Sequence, residues 1–189
     1  DVAGLIVDAV LGFGDQEKRL VRDAAESGTS VVLALNKWDL VPDRESAFTF
    51  YRENLPLHFA EMGDIPFCAV SARPESGGPR GVEKIFASID AAAAAGRTHV
   101  ETARLNRVLA GLHGNLTRTE GGTLRVLYGV QAGGPPPKFI LFTNRTPRSP
   151  DALRKQAAAY LARELSLVGT PVRVELRGKR PRAGERVKK

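Results

Sequence analysis

The sequence predicts two unlike domains in tandem, an α/β domain built on parallel strands and a smaller α+β domain of order α-β-β-α-β. Three observations carry that prediction. Continuous apolar runs alternate with helical-period stretches over residues 1–96, whereas the later strands alternate apolar and polar residues singly. Charge divides at the same place: residues 1–96 hold 9 basic and 15 acidic side chains and residues 97–189 hold 19 and 6, so that net −6 and net +13 make up the total of +7. An alanine run, Ala91 to Ala95, ends in Gly96 and marks the boundary. The domains so predicted are 1–96 and 97–177. The basic remainder, 178–189, has no periodicity and is expected to stay unfolded until it meets a partner.

Residues 2–9 (VAGLIVDA) read as a buried strand, and residues 13–27 as a helix with Leu20, Val21, Ala24 and Ala25 inward. Gly28 suits the left-handed residue that ends a helix. The run VVLAL, residues 31–35, has no polar interruption and predicts a strand buried on both faces. Residues 45–62 carry Phe48, Tyr51, Leu55 and Phe59 at helical spacing, with Pro56 expected to kink or divide the helix. IPFCAV, residues 65–70, is a third buried strand, and Val82, Ile85, Phe86 and Ile89 form the expected stripe of the next helix. Strand and helix in alternation imply right-handed parallel crossovers.

Beyond the boundary, Thr98 to Glu101 has the capping-box pattern ahead of a helix bearing Leu105, Val108, Leu109 and Leu112. Residues 123–131 alternate, with Leu124, Val126, Tyr128 and Val130 on one side, and residues 138–144 (KFILFTN) form the next strand. Tyr128 and Phe139 are read as core. Between those strands lies Gly-Gly-Pro-Pro-Pro, too rigid for a helix. Pro150 suits the first turn of a helix with Leu153, Ala157, Tyr160, Leu161 and Leu165 inward. Gly169-Thr170-Pro171 stops it, and residues 172–177 alternate Val172, Val174 and Leu176 inward.

The chemistry concentrates where the buried run 31–35 meets Asn36-Lys37-Trp38-Asp39. Ligands of open α/β sheets bind at the carboxyl ends of strands. An Asp placed there accepts two hydrogen bonds, from the N1–H and exocyclic amine of guanine, a donor pair that adenine lacks. Asn36 can bond the base and brace the neighbouring loop, and the stem of Lys37 can lie over the purine. This run resembles the guanine-specificity motif NKxD of GTP-binding proteins. Taken alone, the four residues also suit an ordinary solvated loop. Ser71-Ala72 ends the following strand, so both ends meet beside one ligand, where the Ala72 N–H can donate to guanine O6. Trp38, at the free position of the motif, is expected to pack under the loop.

With the LNRVL, YGVQ, PPPKFILFTN and GTPVRVELRGK segments of the second domain, the chain resembles the C-terminal portion of the bacterial Der (EngA) GTPase family. The resemblance covers nearly the whole chain. It implies a partial P-loop GTPase-type three-layer α/β domain, strands 4-5-6 of a G domain, followed by a KH-like domain. It further implies guanine binding by Asn36, Lys37, Asp39, Ser71 and Ala72, GTP or GDP as nucleotide, and assembly of the large ribosomal subunit in the cytoplasm, with the KH-like domain touching ribosomal RNA. No GxxxxGK[ST] occurs, so the phosphate cradle and the Mg²⁺ hydroxyl are absent from this chain. Asp1-Val2-Ala3-Gly4 imitates the γ-phosphate motif DxxG. In a G domain that motif lies much further upstream of the asparagine than the 35 positions separating Asp1 from Asn36. The chain is therefore expected to be a fragment, inactive in GTP hydrolysis by itself, whose missing N-terminal G-domain segment is a partner.

A strongly basic second half fits a polyanion, although a solvated basic surface without a partner remains open. Candidate RNA contacts are Arg125, Lys138, Arg145, Arg154 and Lys155, together with Arg173, Arg177, Lys179 and Arg180. Such contacts position rather than specify. Two GxxG matches, starting at Gly78 and Gly111, do not join two helices as a KH clamp must. His58, His99 and His113 have no companions at ligand spacing, so no metal site is expected. The single Cys68 fits a reducing compartment, and no run approaches the roughly 20 apolar residues of a membrane span. The rival reading is a non-catalytic RNA- or ribosome-binding module in which a degenerate, nucleotide-free α/β domain is only a spacer.

Overall fold

In the computed structural model, which describes residues 1–73, 79–112, 124–147 and 150–178, two three-stranded sheets each carry their own helices. The first has β2 (Ser30–Asn36) between β1 (Val2–Asp8) and β3 (Phe67–Ala69), both parallel to it. Burial explains the uninterrupted apolar run of β2. Val31, Leu33 and Leu35 enter a core with Val21 of α1 (Asp15–Ser27) and with Tyr51 and Leu55 of α2 (Arg44–His58). Ala34 turns to the other face, where Cys68 and Val70 lie against Ile85 of α3 (Val82–Gly96). Helices thus cover both faces, as the sequence predicts.

Several expectations change. Edge strand β1 is flanked only by β2, so it is not buried throughout: Val7 is inside but Ile6 is 71% exposed. Strand β3 keeps only three residues of the six-residue apolar run. Leu20 and Phe48 are exposed rather than inward, Phe48 lying against Phe67 with ring centroids 4.9 Å apart. Pro56 does not divide α2, because it falls in the last turn, after which a short 3₁₀ turn spans Ala60–Met62. The stripe expected on α3 is only partly buried, and Phe86 is 64% exposed. What packs is Ala92, Ala95 and Gly96. These small residues let the helix approach the sheet so closely that a Cβ on Gly96 would lie 3.3 Å from Ser30 Oγ.

The second sheet has the order β4-β5-β6, made of Val126–Gly133, Lys138–Thr143 and Arg173–Gly178, with β4 antiparallel and β6 parallel to β5. Helices α4 (Thr102–Leu112) and α5 (Pro150–Glu164) share one face. Leu105, Leu109 and Leu112 meet Leu153, Ala157 and Leu161 over Phe139 and Leu141 in a single core. Phe139 is buried as expected, but Tyr128 is 48% exposed. The reason is a register shift between Val126 and Tyr128. An irregularity of that kind re-aims a side chain. Gly129 turns inward instead, where a Cβ would come within 2.6 Å of Leu109 Cδ1. Among the described residues, no helix is long and apolar enough to cross a membrane.

Backbone bonds join the halves. The loop after α5 continues the ladder where β3 is too short: the Val31 N–H donates to the Gly169 carbonyl at 2.7 Å, while the Gly169 N–H donates to Asp64 at 3.0 Å. Beside them, the Ser30 and Thr170 hydroxyls, both buried, lie 2.9 Å apart, and the Val172 N–H donates to the Glu61 carbonyl at 3.1 Å.

Candidate functional site

The carboxyl ends of β1, β2 and β3 bring the five base-reading candidates together. Register places Asp8 opposite Asn36, and the Ala9 N–H donates to the Asn36 carbonyl at 2.8 Å. The chain then turns sharply at Lys37, whose φ of 61° is left-handed. A 3₁₀ turn follows at Trp38–Leu40, with the Trp38 N–H donating to Val70 at 3.0 Å, so the two motif loops are laced to each other. Trp38 packs against the core cluster under the loop, as expected.

Ser71 Oγ accepts from the Asp39 N–H at 3.1 Å, and Asn36 Oδ1 accepts from the Ala72 N–H at 3.2 Å. Asn36 therefore braces the neighbouring loop, as the sequence suggests. The Ala72 N–H, expected to address guanine O6, is occupied by Asn36 and could serve a ligand only as a shared donor. Arg44 fixes the turn from outside, its Nε donating to the Trp38 carbonyl at 3.2 Å and its Nη2 to the Asp39 carbonyl at 3.0 Å. All these bonds engage the Asp39 backbone or its neighbours. The Asp39 carboxylate itself has no hydrogen bond or ion pair among the described residues, so both oxygens are available to a ligand. A cavity of about 250 Å³ opens beside it, bordered also by Ser71, Arg80 and Lys84.

Asp8 belongs to this site and was not singled out from the sequence. Its carboxylate lies 2.6 Å from Lys37 Nζ and also accepts from the Val10 N–H at 3.0 Å. Lys37 is thereby drawn across the strand ends, the posture in which its aliphatic stem can cover a flat base. Its only sequence signal was the acid closing the first apolar run. The Lys37 ammonium holds the Asp8 carboxyl below its ordinary 3.8, and the Val10 and Leu11 N–H groups add to this against the effect of burial. A depressed folded-state value means that the contribution to stability is present above 3.8 and is lost as pH falls through the folded value. An Asp8→Asn chain should therefore show a deficit in urea midpoint near neutral pH that shrinks in acid. A deficit unchanged in strong acid would show that the carboxylate charge is not its source.

The basic candidates do not form one surface. Lys138, Arg173 and Arg177 share the sheet face turned away from the helices, Arg125 and Arg145 lie at one end of β4 and β5, and Arg154 and Lys155 sit on α5. Several are engaged within the protein. Glu175 takes Lys138 at 3.3 Å and Arg177 at 2.8 Å, Asp151 takes Arg154 at 2.9 Å, and Arg173 Nη2 donates to the Glu26 carbonyl at 3.0 Å. Lys179 and Arg180 lie outside the described residues, as do Gly78 and Gly114 of the two GxxG matches.

Comparison with known proteins bears on both halves. Residues 99–177 match the family model described as KH-domain-like of EngA bacterial GTPase enzymes, C-terminal. GTPase Der of Thermosynechococcus vestitus is 35% identical over 96% of this chain and 40% of its own length, and GTPase Der of Gloeobacter violaceus 34% identical over 98% and 41%. The chain thus spans about two-fifths of the curated relatives it matches. Among solved structures, Era in complex with MgGDPNP and nucleotides 1506–1542 of 16S ribosomal RNA matches 95% of this chain and 65% of that one, at 15% identity and a TM-score of 0.35, too distant to bear on function.

Proposed function

The chain corresponds to the C-terminal portion of the bacterial GTPase Der (EngA) family, and from that premise we propose that it supplies the base-reading half of a guanine-nucleotide site together with an RNA-docking domain. In this reading residues 1–96 are the second half of a G domain, and the remainder of a longer protein holds the phosphates and Mg²⁺. Asp39 accepts from guanine N1–H and the exocyclic amine, Lys37 covers the ring while tethered to Asp8, and Asn36 and Ser71 hold the two loops in place. Residues 97–177 form the KH-like domain that docks on ribosomal RNA during assembly of the large subunit in the cytoplasm. Without a phosphate grip, this chain by itself does not hydrolyse GTP.

One observation carries the proposal. The Asp39 backbone, Ser71, Asn36 and Arg44 are held by hydrogen bonds to one another's loops, yet the Asp39 carboxylate has no protein donor among the described residues. The longer protein should bind GTP and GDP and discriminate against ATP by at least about a hundredfold, since a site built to bond the guanine donors leaves its acceptor unpaired with adenine. Competition of the three nucleotides for a fluorescent GDP analogue measures this. Equal affinity for ATP would overturn the assignment of these residues.

A further inference from the structure

The sheet face opposite α4 and α5 carries a feature that the nucleotide site does not use. Across the three strands, Tyr128, Phe142 and Arg177 stand in register. The Tyr128 and Phe142 rings are stacked, with centroids 4.5 Å apart and planes only 16° from parallel. Tyr128 is half-exposed although a regular alternation would have buried it; the irregularity in β4 turns it outward, and the inward Gly129 makes room against Leu109. Strand β4 is the edge of its sheet. Among the described residues Phe142 is the only ring that Tyr128 stacks on, so the pair is a column open at one end.

A half-exposed ring already stacked on a part-buried one suits a flat π-partner better than an aliphatic one. The charges nearby select among flat partners. Arg177 ends the row, exposed Arg125 lies three residues before Tyr128, and Glu175, the one carboxylate that the described strands place on this face, is neutralised between Lys138 and Arg177. Residues 97–189 as a whole carry net +13. A nucleobase joined to phosphate satisfies both requirements. A duplex keeps its bases stacked on one another and offers no such face, so the row suits a single strand, and the RNA-docking reading makes that strand RNA.

We propose that Tyr128 and Phe142 are a stacking platform for an unpaired nucleobase of RNA, with Arg125 and Arg177 placed for the adjoining phosphates. This deepens the RNA-docking reading above and rests on it. Stacking supplies affinity without sequence preference, and the arginines supply salt dependence.

Fluorescence anisotropy with this chain and a short fluorescein-labelled oligoadenylate at low salt tests the proposal. Tyr128→Ala should weaken binding roughly tenfold, Tyr128→Leu should weaken it comparably despite keeping apolar bulk, and Tyr128→Trp should restore it. The dependence of affinity on salt should not change in these variants, because phosphate contacts are untouched. Thermal melts establish that each variant is folded; if the alanine chain is not, the leucine and tryptophan pair still decides. Full affinity in Tyr128→Leu alongside weakened binding in Arg125→Glu would overturn the platform while leaving RNA docking standing. No binding of RNA by the unaltered chain would overturn both. Equal affinity for duplex and single strand, or a Tyr128 effect confined to self-association in sedimentation, would likewise overturn the platform.

Discussion

Asp39→Asn in the longer protein should lower GTP affinity by about a hundredfold or more. The carboxylate offers two charged acceptors to two guanine donors, and hydrogen bonds to charged groups are each worth about 1.5–3 kcal/mol. An amide keeps one acceptor and sets its NH₂ against a donor, so one bond is lost and one contact becomes repulsive. Xanthosine triphosphate should recover much of the loss, because it carries an oxygen where guanine carries the exocyclic amine. The melting temperature should not move, since the bonds that fix the turn use the Asp39 backbone N–H and carbonyl. Isothermal titration with GTP and XTP reads both sides of the exchange. Unchanged GTP affinity would show the base site to be elsewhere; a fallen melting temperature would instead give Asp39 a structural part.

Gly169→Ala should destabilise the chain by about 3 kcal/mol or more. The residue has a φ of 59°, where any Cβ adds about 1–2 kcal/mol. The larger cost is steric. The added methyl would meet the Val31 carbonyl oxygen well inside contact distance and come within 2.8 Å of Pro66 Cδ. Neither is the free end of a flexible side chain, so relief requires moving the loop away from β2, and both Gly169 backbone bonds go with it. Gly4 provides the control: it has nothing within 4 Å of a built Cβ, and Gly4→Ala should cost far less. Urea midpoints measure the two side by side. Equal midpoints for the Gly169 and Gly4 variants would mean that the loop is not seated on β2 as described.

Much of the fold, and the grouping of the candidate site residues, was legible because the determinants are local. The strand at 31–35 announces itself by an apolar run with no polar face to spare, and the motif residues follow at its end without an intervening loop. What escaped depends on contacts distant in sequence. Asp8 acquires its role only because the register sets β1 and β2 level at their carboxyl ends, which no property of residues 2–9 reveals. On α3, apolar periodicity picked out the large side chains, but alanine and glycine do the packing, and small residues make little hydrophobic signal however close they bring a helix. Tyr128 was misplaced because counting by twos assumes a regular ladder; one irregularity flips the remainder of the pattern. The segment from Gly169 reads as a helix stop, yet its carbonyl completes the edge of another sheet.

That completed edge has a mechanical consequence. Strand β2 is clamped at its amino end by Gly169 and by the Ser30–Thr170 hydroxyl pair, and its carboxyl end carries Asn36 and the turn to Asp39. Seven extended residues make a strut about 20 Å long that neither stretches nor compresses appreciably. An axial displacement imposed at the Asn36 end would be shared between β1, which pairs with β2 along its whole length, and the loop between α5 and β6. The Val31 amide, at the far end of that strut, is a natural gauge of the load, and its exchange with deuterated solvent would register it.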